Sequence, residues 1–219
     1  DELVDTLTNA IQNGTYRAGE QLPSVEALRV LQTRGVVEII HGAGTFVRHK
    51  PITLVTGQIL SFTEMVRERG MSPSSVILQR ETVTADADNA LRLNVQPGDS
   101  LNFLRRLRFA DDVPVSVETS VMSQQLFPNL FDHEWTPQTS LYDLLRENYA
   151  VRTQYSEQTV RAVPAGRTES QLLQIDFKSP VLLVENLTFD AHGTPIEFGR
   201  SIYSSTRFEY RVTVKPDSR

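Results

Sequence analysis

A chain of 219 residues, 39% of them hydrophobic and with a formal net charge of −5, is long enough for one large or two ordinary domains and reads as a soluble globular protein. The absence of cysteine excludes a disulfide framework and thiolate metal sites, and the four histidines are scattered without metal-ligand spacing, so no metal and no cofactor is expected. No apolar run approaches the ~18 residues of a membrane span. No secretory signal is expected at the start, and a cytoplasmic location is expected.

In chain order, the first element is a helix over Asp1–Asn13. Leu3, Leu7, Ala10 and Ile11 form an apolar stripe at helical spacing, and Gly14 supplies the stop. Thr15–Ser24 reads as extended and turn-like around Gly19 and Pro23. A second helix spans Val25–Arg34, with Ala27, Leu28, Val30 and Leu31 inward and Gly35 closing it. Val36–Ile40 is a short strand, His41 to Gly44 a tight turn, and Thr45 begins the return strand. A helix followed by a glycine-tipped hairpin is the back end of a winged helix. The glycines at 42 and 44 suit a hairpin needing positive φ. The tip would also let backbone approach DNA, with His41 and Thr45 beside it.

These fifty residues resemble the DNA-binding domain of GntR-family transcription regulators. The motif Gly-x-Tyr-x-x-Gly-x-x-Leu-Pro-Ser runs from Gly14 to Ser24, Ala-Leu-x-x-Leu from Ala27 to Leu31, and Gly-x-Gly-Thr-Phe-Val from Gly42 to Val47. The resemblance implies operator binding by residues 1–50, with His41, Gly42, Gly44 and Thr45 at the wing. One departure stands out. In that family a further helix and the front of the recognition helix lie between Leu-Pro-Ser and Ala-Leu, whereas here Ser24 runs straight into Val25. Residues 1–50 carry five Lys/Arg against six Asp/Glu, so the basic footprint of a DNA reader is missing with that segment. Either the segment is omitted from this sequence or this copy has lost it.

Beyond a linker at His49–Pro51, the chain repeats itself. Ala85–Phe109 aligns without a gap on Ala165–Phe189, 80 positions on: Leu93 on Leu173, Leu101 on Val181, Phe103 on Leu183, Leu107 on Leu187. Ser61 and its following helix fall on Ser140, and Pro114-Val115 falls on Pro195-Ile196. A period near 80 is too long for a solenoid. Two copies of one supersecondary unit within one domain are expected, with a ligand cleft at their interface. Each copy reads as a helix after a serine, a strand, a shorter helix and a β-hairpin. In the first copy the helix is Phe62–Arg69, capped by Ser61 with Glu64 completing a capping box. The strand is Val76–Val83, the second helix Asp86–Leu93, and the hairpin Leu101–Phe109 with Pro114–Met122.

The hairpin register follows from its alternation. Leu101, Phe103, Leu107 and Phe109 share one face of the first strand, and Val113, Val115, Val117 and Val121 one face of the second. A plain two-residue turn would expose one of the two sets. An odd loop of Asp111, Asp112 and Val113 is therefore expected, which sets Arg106 opposite Glu118 and Arg108 opposite Ser116. Two arginines at alternate positions suit bidentate capture of an anion. Two serine-capped helix starts add unpaired backbone N–H groups. Phe103, Phe109, Phe189 and Trp135 are expected in the core.

This second region, about residues 55–212, resembles the UTRA effector domain of HutC-subfamily GntR regulators, through Ser-Phe-Thr-Glu, Arg-Leu-Arg-Phe-Ala-Asp, Val-Glu-Thr-Ser, Ser-Leu-Tyr-Asp-Leu-Leu and Pro-Ile-Glu-Phe-Gly-Arg-Ser-x-Tyr. The resemblance implies an α+β chain: an N-terminal winged helix, incomplete here, and an effector-binding and dimerisation domain over 51–219 with a chorismate-lyase-like fold. It implies effector contacts from Arg106, Arg108, Glu118, Ser140, Tyr142, Glu197 and Tyr203 and from the segment Ser61, Phe62 and Thr63. The arginines, Ser140 and Tyr142 would hold the anion, the two glutamates would accept hydrogen bonds from hydroxyl or amide groups, and Tyr203 would close over the ligand. The expected function is a homodimeric, non-enzymatic, ligand-responsive repressor of operator DNA, with no membrane partner. A phosphorylated sugar or amino sugar fits the residues best as effector. The alternatives are a metabolite-binding module without DNA activity and a chorismate-lyase-like enzyme. Against the enzyme, no catalytic triad, metal set or nucleotide loop stands out, and fold kinship alone warrants little.

Overall fold

The computed structural model describes residues 8–16, 19–20, 37–40, 44–47, 51–55 and 59–213. They belong to two compact units, Asp1–Pro51 and Ile52–Arg219. In the first, residues 8–12 are helical and Gly14 ends the helix with φ +83°, the conformation that the stop requires. Strands β1 (Val37–Ile40) and β2 (Gly44–Val47) form an antiparallel hairpin in which Ile40 faces Gly44 and Ile39 faces Thr45. The expected helix over 25–34, the linker at 49–50, and His41 and Gly42 lie outside the described residues.

The second unit is built on a six-stranded antiparallel sheet. Its strands are β4 (Pro73–Thr84), β5 (Ser100–Ala110), β6 (Val113–Ser123), β7 (Tyr155–Pro164), β8 (Pro180–Phe189) and β9 (Pro195–Ser204), in the order β4-β5-β6-β9-β8-β7. The two copies of the repeat thus meet along β6 and β9. The duplication extends to single hydrogen bonds. Ala85 N–H donates to Asp99 O as Ala165 N–H does to Ser179 O. Gly98 N–H donates to Ala85 O as Lys178 N–H does to Ala165 O, and Val95 N–H to Ala90 O as Ile175 N–H to Ser170 O.

Helices α2 (Ala87–Leu93) and α4 (Arg167–Leu173) cover one face of the sheet. Leu93, Leu101 and Val121 pack there with Phe103 and Phe198, and Leu173, Leu107, Val117 and Val181 with Phe109. Helices α1 (Phe62–Arg67) and α3 (Leu141–Tyr149) cover the other. Ser61 caps α1 in the reciprocal capping box expected from sequence. Its side chain accepts from Glu64 N–H, and its own N–H donates to Glu64 Oε2 at 2.8 Å. The helix stops at Arg67, two residues earlier than expected.

The hairpin loop corrects the sequence reading. The turn is the two-residue Asp111-Asp112, both in the left-handed region at φ 48° and 63°. The parity problem is solved inside the strand: the register shifts between Arg108 and Phe109, and Val115 is the extra residue of a β-bulge. Val115 consequently leaves the face of Val117 and joins Phe62, Met65 and Val66 beneath α1. The second copy bulges identically between Thr188 and Phe189, and Ile196 joins Leu141 and Leu144 beneath α3. Above both bulges the expected pairs hold, Arg106 with Glu118 and Arg108 with Ser116. Because left-handed backbone favours glycine, Asp112→Gly is expected to raise stability by about 0.5 kcal/mol, read as a higher urea midpoint at unchanged slope. Asp111 is the wrong position for that change, since its carboxylate accepts from Ser72 N–H at 2.8 Å.

One feature had no counterpart in the sequence reading. Strand β3 (Ile52–Val55) pairs in parallel with β10 (Phe208–Arg211) near the far end of the chain. Ile52 and Phe208 are each 1% exposed and pack with Tyr203 and Phe62. Phe189 stacks on Tyr155 at 4.5 Å, and Trp135 packs against the cluster under α3 while its Nε1–H donates to Leu130 O.

Candidate functional site

The bulges and the sheet order decide what the second sheet face presents. Side chains of alternate residues on β5, β6, β9 and β8 point toward the starts of α1 and α3, and a cleft of about 90 Å³ that opens to solvent lies between. All of the effector residues expected from sequence line it: Arg106, Arg108, Glu118, Ser140, Tyr142, Glu197 and Tyr203, with Ser61, Phe62 and Thr63. The face is not a solvated exterior. Arg106 and Arg108 are each 3% exposed, so two like charges sit side by side away from water.

They share one counterion. Arg106 Nη2 lies 3.4 Å and Arg108 Nη1 3.2 Å from the same oxygen, Glu118 Oε2. Arg108 also donates to Thr63 Oγ1 at 3.0 Å and lies over the Phe62 ring at 4.6 Å, while Arg106 reaches Thr139 O at 3.4 Å. Arg108 Nε is buried without a hydrogen-bond partner, as is Ser116 Oγ directly opposite it in the register. Two cations against one carboxylate leave an excess positive charge, held by long contacts and one unused donor. Such a seat favours a multivalent oxyanion.

The electrostatics agree. Burial, reinforced by Arg108, pushes the Arg106 guanidinium down to about 9 against the pull of Glu118. The guanidinium stays charged at physiological pH, so the downward shift expresses the cost of burying that charge beside Arg108, a cost that a bound anion would lower.

The glutamates differ from each other. Glu118 balances one of the two arginine charges. Glu197 is 5% exposed and accepts from Ser120 Oγ at 2.5 Å and from Tyr142 OH at 2.6 Å. Burial raises its carboxyl above the ordinary range, opposed by those two hydroxyls. Burial and Glu197 together hold the Tyr142 phenol well above its usual value, which keeps it a donor. Tyr142 thus serves Glu197 in this structure rather than the arginines. Arg200 pairs with Glu185. Tyr203 is a cleft wall, stacked on Phe208 at 3.8 Å. Ser140 Oγ accepts from Asp143 N–H at 3.4 Å and Ser61 N–H is engaged by Glu64, so the amides of Phe62, Thr63, Leu141 and Tyr142 are the ones that helix geometry leaves without intrahelical acceptors.

Sequence reasoning missed Ser120, Asn186, Gly199 and Ser201, which also line the cleft. The signal was present: Ser120 alternates with Glu118, and Asn186 stands 80 positions after Arg106. Among the described residues there is no cluster of three metal-ligating side chains and no helix long and apolar enough to cross a membrane.

Comparison with known proteins places this geometry. The UTRA domain family matches residues 68–209. The chain is 31% identical over 192 residues to the HTH-type transcriptional repressor PhnF of Mycolicibacterium smegmatis, covering 86% of this chain and 76% of that one. It is 25% identical over 224 residues to the HTH-type transcriptional repressor NagR of Bacillus subtilis, covering 95% and 91%. The crystal structure of PhnF from Mycobacterium smegmatis superposes with a TM-score of 0.77 at 25% identity, covering 99% of both chains. The chain belongs to the UTRA-domain family of HutC-type GntR transcription regulators, which are regulators rather than enzymes. The alignment with NagR runs over more positions than the 219 residues present here, so that relative carries residues within the aligned span that this chain lacks.

Proposed function

We propose that this protein is a homodimeric repressor whose C-terminal cleft, within residues 51–219, binds a small phosphorylated metabolite, a sugar or amino-sugar phosphate. One observation carries the reading: two buried arginines share a single carboxylate oxygen, and one of them keeps a buried, unpartnered N–H. A dianionic phosphoryl group fits that charge and that donor better than a neutral ligand. The carboxylate of Glu197 and the amide of Asn186, farther along the same face, suit a hydroxylated body. The anion would bind against Arg106 and Arg108, with the helix-start amides near Ser61–Thr63 and Ser140–Tyr142 completing the cradle.

In this reading residues 1–50 bind operator DNA in the cytoplasm, with the wing of His41, Gly42, Gly44 and Thr45 against the duplex. Effector binding favours the arrangement in which the two heads of the dimer no longer fit both half-sites. That is a population shift and needs different effector affinity in the two states. The names of two relatives, both repressors, support the sign. The test is selection of bound sequences from a random duplex pool, followed by titration of the enriched site with phosphosugars. Release of a palindromic site by one phosphosugar supports the reading.

A second reading, a metabolite sensor without DNA activity, is favoured by the junction of Ser24 with Val25. In that case no sequence is enriched from the pool, while the effector still binds. Light scattering at micromolar concentration, giving twice the mass of one chain, checks the dimer in either case.

A further inference from the structure

The repeat gives the arginine seat a partner. The β6 and β9 strands pair with Glu118 opposite Ser201 and Ser120 opposite Gly199, so the pseudo-twofold relation exchanges Glu118 with Gly199. On the flanking strands Arg106 pairs with Glu118, and Asn186 pairs with Gly199. The same two sheet positions therefore occur twice in one cleft, once as Arg/Glu and once as Asn/Gly. The next pair along is Arg108/Ser116 in one seat and Thr188/Glu197 in the other, so the cations are confined to the first seat, while in the second the Asn186/Gly199 pair is uncharged and stands beside Glu197.

The uncharged pair has a specific construction. A Cβ on Gly199 would lie 2.3 Å from Asn186 Oδ1 and 2.8 Å from both Cγ and Nδ2, so the amide lies flat in the space left by the missing side chain. Asn186 Nδ2 donates to Thr188 Oγ1 at 3.1 Å, which fixes the amide plane. Thr188 Oγ1 is in turn within 3.2 Å of Ser156 Oγ and 3.4 Å of Tyr142 OH. Both Asn186 and Gly199 line the cleft. An oriented, uncharged amide in the cleft lining offers an acceptor to a hydroxyl or amide N–H. It would leave a second anionic group without a counter-charge.

We infer that Asn186, seated on Gly199, is the specificity residue of this cleft: it reads an uncharged hydrogen-bonding group on the body of the effector, at the seat related by the internal repeat to the one that takes the anion. This rests on the anion reading above. It narrows the effector to a molecule with one anionic end and one neutral polar end, and disfavours compounds charged at both ends.

The test is calorimetric titration of the full chain, of Asn186→Leu, of Gly199→Ala and of Arg106→Ala. The ligands are inorganic phosphate, a panel of hexose and hexosamine 6-phosphates, and a hexose 1,6-bisphosphate. The unaltered protein is expected to bind one monophosphate more tightly than phosphate, and the bisphosphate more weakly than that monophosphate. Asn186→Leu and Gly199→Ala are expected to lower the monophosphate affinity about tenfold and to leave phosphate within about twofold. Gly199→Ala acts by displacing the amide, so agreement of the two variants separates reading by Asn186 from a local packing defect. Arg106→Ala is expected to lose both ligands. If both ligands weaken equally in Asn186→Leu, or if no panel member outbinds phosphate, the uncharged pair reads nothing and the inference falls while the anion reading stands. If neither phosphate nor any phosphosugar binds the unaltered protein, both fall.

Discussion

Arg106→Ala is expected to abolish the response to the effector and leave the fold intact. In the unaltered protein, effector at a hundredfold excess over its dissociation constant should stabilise by about 2.7 kcal/mol, a shift of about 5–11 °C in a unit of this size. Truncating one member of a buried charge cluster that holds the ligand should weaken binding by about 3 kcal/mol, roughly a hundredfold, which removes that shift. The ligand-free protein should barely change. Arg106 and Arg108 repel each other and share Glu118 Oε2 at 3.4 and 3.2 Å, so loss of one leaves the other with the carboxylate to itself. Thermal unfolding with and without ligand separates the two effects. A variant that unfolds many degrees lower without ligand would make Arg106 a structural residue instead.

Phe208→Ala should produce the largest loss of stability. The ring is 1% exposed, stacks on Tyr203 at 3.8 Å and packs with Ile52, Phe62 and Val66. Removing a buried phenyl group costs about 3–5 kcal/mol through lost transfer free energy and the cavity left behind. In denaturant the midpoint should fall with little change in slope. Leu91→Ala is the control: at 83% exposure it should change stability by less than about 0.5 kcal/mol. Phe208→Ala should also weaken the effector response, because Tyr203 is both its stacking partner and a wall of the cleft. That loss should be partial, unlike that of Arg106→Ala.

The contrast between these residues shows what was legible in the sequence. Arg106 and Glu118 could be paired because the alternation of Leu101, Phe103 and Leu107 with Val117 and Val121 calls for an odd connection, and the shortest one sets these two residues opposite each other. Parity says that one extra residue is needed but not where it goes. The Asp111-Asp112 turn and the Val115 bulge meet that need as well as a three-residue loop does, because aspartate tolerates the left-handed backbone. Phe208 was not legible as a core residue. Its strand is four residues long and pairs with another four-residue strand more than 150 positions away, and no local pattern records such a contact. The cleft lay between these cases. Its charged members stood out by residue type, whereas Asn186, Gly199 and Ser120 became visible only once the repeat had a three-dimensional register.

The central claim is that the cleft over β5, β6, β8 and β9 senses one phosphorylated small molecule. Thermal unfolding of the purified chain tests it most directly, using sugar phosphates, the same sugars without phosphate, inorganic phosphate and simple carboxylates. At saturating ligand the expected result is a shift of about 5 °C or more with one phosphosugar, absent with its parent sugar and lost in Arg106→Ala. A shift that survives in Arg106→Ala, or no shift with any phosphorylated compound, would contradict it.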